Sequence, residues 1–552
     1  MVFSFSLPTT SHLSFQSFLS SSTHPSLPQS ASIARHSLRI ALKKHRHLPS
    51  QQQSSNLPSI LNALNEYIPY LFTLSDGLRG KTGGEEVDII LRSEIEVEWR
   101  TTLTTTSSSF LRTSRRLKGR RQRHRVRGRG LDFEIAFTLA TLGYVLSGIA
   151  RDGVTRTLYA SSTRTVEQRT AAIQAATKNL LMASAVHAFV ASPALDITAS
   201  IVTVKSKSRT TDTVTDTGVE GGGWDATVSV PDLDSATQSS LSALALSEAT
   251  LLAVLKDDAY VAATIQARNP NDREWMIKAP EIPKVRALVF ARLCVRGAEY
   301  AEQAASGAEG VGARGDSSQE GKEGKVDDEL VDYMRAVAGV AKARACRFFG
   351  IDAEMGGKTG EGIAWLRAGR GILKFKKGSL EGDEEDSGAG GRAKGKGLSR
   401  LKKGWADMRE ERKMEKQAGS GGGSGDGELG GGDDAGREEE GRVLDMLEAK
   451  WVKMNDTINT QLIPSPKTLL TTLPSGRDIH SPQSYTPPSL GDSQLIRMRA
   501  PPEDDDNLPG AGDDGMDSSS EDDGGDFGKP GAVPPGGFPE SRASSGHGSG
   551  YF

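Results

Sequence analysis

Cysteine is scarce in this sequence. Cys294 and Cys346 are the two cysteines among 552 residues, and both fall within helical patterns. Two isolated cysteines exclude the disulfide frameworks that hold small secreted domains together, and they favour a reducing compartment. Long hydrophobic runs are missing as well. No stretch of about 18 uncharged apolar residues occurs, which predicts that no segment spans a bilayer.

Acidic residues are missing from the beginning of the chain, where none precedes Glu66. An acid-free segment rich in Ser, His, Lys and Arg also has the composition of a mitochondrial transit peptide. Residues 30–44, however, carry Ile33, Leu38 and Leu42 in a pattern that favours a helix packed on a core. The folded helix is the preferred interpretation, and the transit peptide is the alternative.

Groupings of residues that carry out chemistry are also missing. The histidines are scattered, no His/Cys/Asp spacing resembles a zinc site, and no nucleophile lies in a pattern with a base. GGKT at 356–359 and GKT at 80–82 fail as phosphate loops, because Asp352 and Ser75 stand where the motif needs glycine. His187 interrupts an apolar stripe and is interpreted as a core histidine. We therefore expect a non-enzymatic protein without metal or cofactor.

The net charge of −3 is the sum of opposed blocks. Residues 112–129 contain ten Lys or Arg and no acid, whereas residues 503–526 contain eleven Asp or Glu and no base. The basic tract could be a solvated insertion, or it could bind anionic lipid, RNA or an import receptor. It has no aromatic residue to stack on bases, so nucleic acid is not the expected partner. A membrane or other anionic surface would contact Arg115, Arg116, Arg120, Arg121 and Arg123.

Apolar residues recur three and four positions apart over long stretches, which predicts amphipathic helices. Two of these stretches, Leu131–Ala150 and Ala171–Val190, are rich in alanine, which lets neighbouring helices approach closely. The predicted helices are 30–44, 57–74, 131–150, 165–191, 241–268, 283–305, 329–349, 362–375, 398–417 and 438–455. The sequence thus predicts a mainly α fold, an elongated array of helical hairpins like those of tetratricopeptide proteins. No strict 34-residue period supports a consensus repeat.

Low-complexity tracts separate several of these helices and are interpreted as disordered insertions into surface turns. They cover residues 112–130, 205–223, 306–325, 380–397 and 418–436. From Ile463 onward, proline recurs every few residues, which predicts an extended arm lying along the array. We expect one domain over residues 1–500 and a disordered acidic tail rich in Pro, Gly and Ser over 501–552.

The order and the amino-acid sequences of several segments resemble those of a Bro domain, the boomerang-shaped helical domain of endosomal-sorting adaptors. EVEWRTTL at 96–103 followed by LDFEIAFTLATLGYVLSGIAR at 131–151 resembles the family's tryptophan-containing strand and the Phe–Glu start of its next helix. Three further resemblances are LSALALSEATLLAVLKDDAY at 241–260, GKTGEGIAWLRAG at 357–369 and NDTINTQLIPSP at 455–466. The opening segment 7–36 and the late segment 473–490 resemble the family branch that works in fungal ambient-pH signalling.

This resemblance implies an adaptor with a small N-terminal strand region. Family members bind a core ESCRT-III subunit, whose C-terminal amphipathic helix docks in a hydrophobic groove. For the pH-signalling branch, the resemblance implies a link from ESCRT-III to a pH-sensing receptor complex of the plasma membrane, upstream of proteolytic activation of the transcription factor PacC. We expect a cytoplasmic protein recruited peripherally to plasma-membrane or endosomal sites. The alternatives are a general adaptor of multivesicular-body sorting and, less favoured, a nucleic-acid-binding protein using the Arg-rich tract.

Docking of a helix in a groove needs apolar anchors on the receiving face. Val289 and Leu293 have i, i+4 spacing, and by resemblance they fall where family members contact ESCRT-III, with Leu252 on the neighbouring helix. The alternative is that all three residues belong to the core, as Leu and Val commonly do. Flanking Lys284, Arg286 and Arg292 would suit an acidic partner helix.

Overall fold

The computed structural model describes residues 2–80, 87–104, 125–158, 165–195, 230–261, 284–311, 325–373 and 435–501. Long helices dominate these residues. They are α1 (Leu27–His47), α2 (Ser50–Leu78), α3 (Leu131–Leu158), α4 (Val166–Ala191), α5 (Ser235–Asp257), α6 (Lys284–Gly310), α7 (Asp328–Met355), α8 (Thr359–Leu373) and α9 (Arg437–Met454), followed by the short α10 (Pro466–Thr471) and α11 (Asp492–Met498). The predicted mainly helical fold is confirmed.

Each long helix packs against the next one in the sequence, from α1 through α9. This is the arrangement expected for successive helical hairpins. The predicted helix at 398–417 lies outside the described residues, as does the end of the predicted helix 241–268. The other predicted helices are present, and several of them begin earlier or end later than the apolar pattern indicated.

Two small antiparallel sheets lie in the N-terminal part of the chain. Strand β1 (Leu19–Ser20) pairs with β2 (Ile90–Leu91), and β3 (Glu96–Arg100) pairs with β4 (Arg125–Arg129), with Trp99 opposite Val126. Strand β4 corrects the predicted insertion at 112–130, whose last residues belong to the fold. The reason is a two-residue alternation: Val126 and Gly128 face inward, while the arginines between them face outward.

Other boundaries also differ from prediction. Residues 306–310 continue α6 and are not part of the insertion predicted at 306–325. Ile33 is 60% exposed, so it does not share the packing face of Leu38 and Leu42. Helix α3 is buried on nearly every side between Leu131 and Ser147, because it lies between α2 and α4 and beneath β3 and β4.

Buried polar groups fix the start of α3. The carboxylate of Glu134 accepts hydrogen bonds from Arg35 Nε (2.8 Å), Tyr67 Oη (2.8 Å) and Trp99 Nε1 (2.6 Å). These donors come from α1, α2 and β3, so one carboxylate ties three elements to α3. A buried carboxylate needs such partners, because desolvation would otherwise penalise its charge.

Helices α3 and α5 are long and apolar enough to cross a membrane by length and composition. In the structure, however, 89% of the most apolar window of α3 and 78% of that of α5 are buried within the protein. They are the central core helices of this fold.

The close packing of α3 on α4 gives a direct stability test. A Cβ atom added at Gly143 would lie 2.3 Å from Nε2 of the buried His187, whereas nothing lies within 4 Å of a Cβ at Gly153 on the same helix. Gly143→Ala is therefore expected to lower the free energy of unfolding by about 1–3 kcal/mol. Gly153→Ala should instead raise it by about 0.5–1 kcal/mol. Urea unfolding measures both, and equal effects would contradict the packing.

Candidate docking surface on helix α6

The three predicted contact residues are not equally accessible. Leu252 and Leu293 are 1% and 4% exposed and lie in the core, whereas Val289 is half-buried. Leu252 and Leu293 therefore fit the alternative that these residues belong to the core, and Val289 is the one of the three that is partly accessible. Helix α6 packs against both α5 and α7, so most of its apolar stripe faces a neighbouring helix. A role for these residues in partner binding stays a prediction.

The side chain missed by the sequence reasoning is Leu288, which is 45% exposed. It lies next to Val289 and lies one helical turn before Arg292. The cationic side chain of Arg286 is exposed nearby, with the carboxylate of Asp257 4.0 Å away. We call Arg286, Leu288, Val289 and Arg292 the α6 surface. An apolar residue outside the regular stripe was the signal that could have identified Leu288.

The segment after α10 crosses α6 at the C-terminal edge of this surface. Backbone N–H of Arg477 donates to the carbonyl oxygen of Arg292 (3.1 Å). The N–H of Gly476 donates to Oε1 of Glu299 (3.1 Å), and a Cβ at position 476 would lie 2.6 Å from the backbone of Arg296. Only glycine allows this close approach, so the crossing point is defined by the sequence.

An ion pair on the same face reinforces the crossing. Asp478 accepts from Arg296 Nε (2.7 Å) and from Tyr300 Oη (2.6 Å). The hydrogen bonds from Tyr300 and Arg296 lower the pKa of the Asp478 carboxyl. Arg296 also donates to Oε2 of Glu299 (2.8 Å), and its hydrogen bonds to Glu299 and Asp478 raise the pKa of its guanidinium. These groups are partly exposed to solvent, so their role is to orient the segment and their contribution to stability is small.

This segment continues across the helices as irregular chain. Tyr485 contacts the ring of Phe189 on α4 at 5.4 Å, and the backbone N–H of Ala500 donates to the carbonyl of Thr23 at 2.7 Å. Leu490 and Met498 are buried in the core shared with α1 and α2. The predicted arm is thus present from Ile463 to Ala500, with two short helices within it.

The Arg-rich candidates have no structural description. Arg115, Arg116, Arg120, Arg121 and Arg123 all lie outside the described residues.

The other notable surface feature is a shallow cavity of about 590 Å³ between α8 and α9. Two of the cations that line it, Arg367 and Arg370, are already paired with Glu448 (2.9 and 3.2 Å).

Both cysteines and His187 are held in the core. Burial raises the pKa of the Cys294 and Cys346 thiols to about 12, which keeps both protonated at neutral pH. His187 is buried and hydrogen-bonded to Gln238 (2.7 Å), and burial lowers its pKa to about 4. Its interpretation as a core histidine is confirmed. Among the residues that the structure describes, no group of three or more His, Cys, Asp or Glu side chains could hold a metal ion.

Comparison with known proteins identifies the family to which the chain belongs. It is 52% identical over 549 residues to the pH-response regulator protein palC of Emericella nidulans, covering 97% of this chain and 98% of that protein. The chain belongs to the palC family. A palC protein of Cryptococcus neoformans is 36% identical over 176 residues, which is 31% of this chain and 29% of that protein. The predicted relationship to fungal pH regulators is confirmed.

No protein-family model matches the chain. Two solved structures align with it at low sequence identity. One, described as the ALIX BRO1 CHMP4C complex, has a TM-score of 0.45 and 12% identity and covers 88% of this chain and 96% of that chain. Another, described as the structure basis for endosomal targeting by the Bro1 domain, has a TM-score of 0.39 and 13% identity, with 90% and 95% coverage.

Proposed function

We propose that this palC-family chain is a non-enzymatic adaptor in the response to alkaline ambient pH. It binds a core ESCRT-III subunit and links that subunit to the pH-sensing receptor complex, so that PacC is activated by proteolysis. The observation that carries this proposal is 52% identity to the palC of Emericella nidulans along 97% of the chain. The alternative is a general adaptor of endosomal sorting.

The α6 surface is the proposed docking site for the ESCRT-III helix. Leu288 and the half-buried Val289 supply apolar contacts on neighbouring sides of α6. Arg292 lies one turn after Leu288 and supplies positive charge beside it, and Arg286 supplies a second charge near Val289 at the start of the helix. An amphipathic helix buries its apolar face on such anchors, and acidic residues along its edge would meet the two arginines. The arm at Arg477 and Asp478 closes the surface at one end, which would limit how far a bound helix extends along α6.

The site of action follows from the same proposal. A protein that links ESCRT-III to a membrane receptor works in the cytoplasm and is recruited peripherally to plasma-membrane or endosomal sites. The Arg-rich tract at 112–124 would add attraction to anionic lipid in that setting.

Charge placed on the α6 surface should weaken partner binding. We expect Leu288→Asp combined with Val289→Asp to reduce affinity for a peptide of the ESCRT-III C-terminal helix more than about thirtyfold, because two apolar contacts are replaced by desolvated carboxylates. Fluorescence anisotropy with the full chain measures the change. Met182→Asp on α4 is the matched control, since Met182 is 47% exposed. Leu293→Asp is unsuitable, because a charge at this buried position would destabilise the fold.

The same variants separate the proposed function from its alternatives in cells. In Emericella nidulans lacking its own palC protein, the unmodified chain should restore growth and PacC processing at alkaline pH, and the double variant should not. Restoration by the double variant would exclude the α6 surface as the essential contact. Loss of cargo sorting without an effect on PacC would favour the general sorting adaptor. Binding lost only on removing residues 112–124, which leaves strand β4 in place, would favour a nucleic-acid or other polyanion partner.

A further inference from the structure

The outer face of α1 combines exposed apolar side chains with positive charge. Ile33 and Ile40 are 60% and 52% exposed, although isoleucine is normally among the most buried residues. They lie seven residues apart, so they project from the same side of the helix at a separation of about 10.5 Å along its axis. Exposed basic residues follow toward the C-terminus of α1: Lys44 and His47 lie on the same side as Ile40, Lys43 flanks them, and Arg46 lies farther round the helix.

Nothing on the helix neutralises this charge. Helix α1 contains no Asp or Glu, and no acidic residue precedes Glu66 in the chain. Within the part of the chain that the structure describes, no carboxylate lies within 4 Å of the Lys43, Lys44 or Arg46 side-chain nitrogens, although Arg35 on the inner face is paired with Glu134. Basic residues at a helix C-terminus are favoured by the helix dipole. The dipole does not, however, explain two exposed isoleucines.

We propose that the outer face of α1 is a docking surface for an anionic phospholipid membrane. Helices that lie on membranes place apolar side chains at the boundary of headgroups and acyl chains, while flanking Lys and Arg contact the acidic headgroups. Ile33 and Ile40 match the first requirement, and Lys43 and Lys44 match the second. The inner face of α1 is already held in the core by residues such as Leu38 and Leu42. The helix is therefore folded before it meets a membrane, and its outer face can bind without a folding step.

Charge distinguishes this surface from a second site with strongly exposed apolar residues. Ile458 and Leu462, beyond α9, are 75% and 91% exposed. Their surroundings, however, include Asp456, and Lys358 near them is paired with Glu361 (3.5 Å). An anionic membrane would be attracted to α1 and not to this second site. This makes the second site a matched control.

The test is co-sedimentation of the full chain with vesicles. The unmodified chain should bind vesicles of phosphatidylcholine mixed with phosphatidylserine and should not bind phosphatidylcholine alone. Both Ile33→Ser with Ile40→Ser and Lys43→Glu with Lys44→Glu should weaken binding more than about tenfold. Ile458→Ser with Leu462→Ser should bind like the unmodified chain. All six positions are exposed, and circular dichroism and thermal unfolding confirm that each variant is folded.

Replacement of Arg115, Arg116, Arg120, Arg121 and Arg123 by Ser tests the competing lipid site. If that variant loses binding and the two α1 variants retain it, the proposal is wrong. It is equally wrong if the unmodified chain does not bind anionic vesicles. Sensitivity to Lys43 and Lys44 without sensitivity to the isoleucines would show attraction to any polyanion, such as an acidic protein surface, and would also overturn the assignment to lipid.

Discussion

Arg347→Met is expected to lower the free energy of unfolding by about 3–5 kcal/mol. Arg347 lies on α7 and is fully buried, with its Nε donating to Glu440 Oε1 of α9 at 2.6 Å and an Nη donating to Asp258, just beyond α5. Burial alone would lower the pKa of the Arg347 guanidinium, but the attraction of Asp258 and Glu440 outweighs it and raises that pKa above its ordinary value. Removing the cation leaves Asp258 and Glu440 buried with less compensation. Among the described residues, Arg344 is then the cation left beside Glu440, with its Nε 3.1 Å from Oε2.

Urea unfolding of the full chain measures this effect. Arg367→Met is the control, because Arg367 pairs with Glu448 at the surface between α8 and α9 and its side chain is 42% exposed. An exposed pair of this kind contributes about 0–1 kcal/mol. The combined variant Arg347→Met with Glu440→Gln should cost less than the sum of the two single changes, because it removes the uncompensated charge. Additive costs would show that the two side chains act independently.

The buried arginines show what the sequence could not predict. Helix α7 was expected from its apolar period, but an apolar period does not reveal the partners of a charged residue within it. Arg347, Asp258 and Glu440 are separated by about ninety residues in each direction. Only the stacking of α5, α7 and α9 brings them together. The helices followed from local periodicity, whereas the ionic contacts between them depend on tertiary packing.

The docking surface shows the same limit in another form. The i, i+4 pair Val289 and Leu293 correctly indicated an amphipathic α6. An inner helix of an array is covered on two sides, however, so one stripe contains both core and surface positions. Leu293 faces the core, and the exposed Leu288 lies outside the i, i+4 stripe of Val289 and Leu293. Sequence periodicity identifies an apolar face, but it does not show how much of that face the neighbouring helices cover.

Insertion boundaries were wrong where composition and pattern disagreed. The segment 125–129 is basic, so its composition groups it with the Arg-rich tract. Its alternation of Val126 and Gly128 with arginines is nevertheless typical of a β-strand. Gly128 is needed because a Cβ there would lie 2.3 Å from the ring of Phe133. Composition alone therefore assigned residues of β4 to an insertion, and two-residue alternation was the better guide.

Glu248 on α5 introduces a pH dependence into the stability of the core. Its carboxyl is 2% exposed, and it accepts hydrogen bonds from the backbone N–H of Phe3 (3.0 Å) and from Tyr333 Oη of α7 (2.9 Å). Burial raises its pKa from 4.5 to about 7, because desolvation outweighs the contributions of these donors and of Arg151. The folded state therefore holds a proton between pH 4.5 and 7 that the unfolded chain releases.

The sign of the effect follows from this difference. A raised folded-state pKa contributes stability that is complete below pH 4.5 and is lost as the pH rises through 7. At about 1.4 kcal/mol for each pKa unit, the loss is about 3 kcal/mol. His187 acts in the opposite direction, because its pKa of about 4 makes its contribution fall as the pH drops below 6.5. The two slopes overlap, so the stability curve of the unmodified chain does not isolate either group.

Glu248→Gln isolates the carboxyl, since the amide has nearly the same shape and does not ionise. We expect the variant to gain stability relative to the unmodified chain by about 3 kcal/mol between pH 4.5 and pH 8. Urea unfolding of both proteins at a series of pH values measures this difference, and His187→Asn should give a difference of opposite slope between pH 4 and 6.5. A Glu248→Gln difference that stays constant with pH would show that Glu248 titrates alike in the folded and unfolded chains, and that its burial does not penalise the charge.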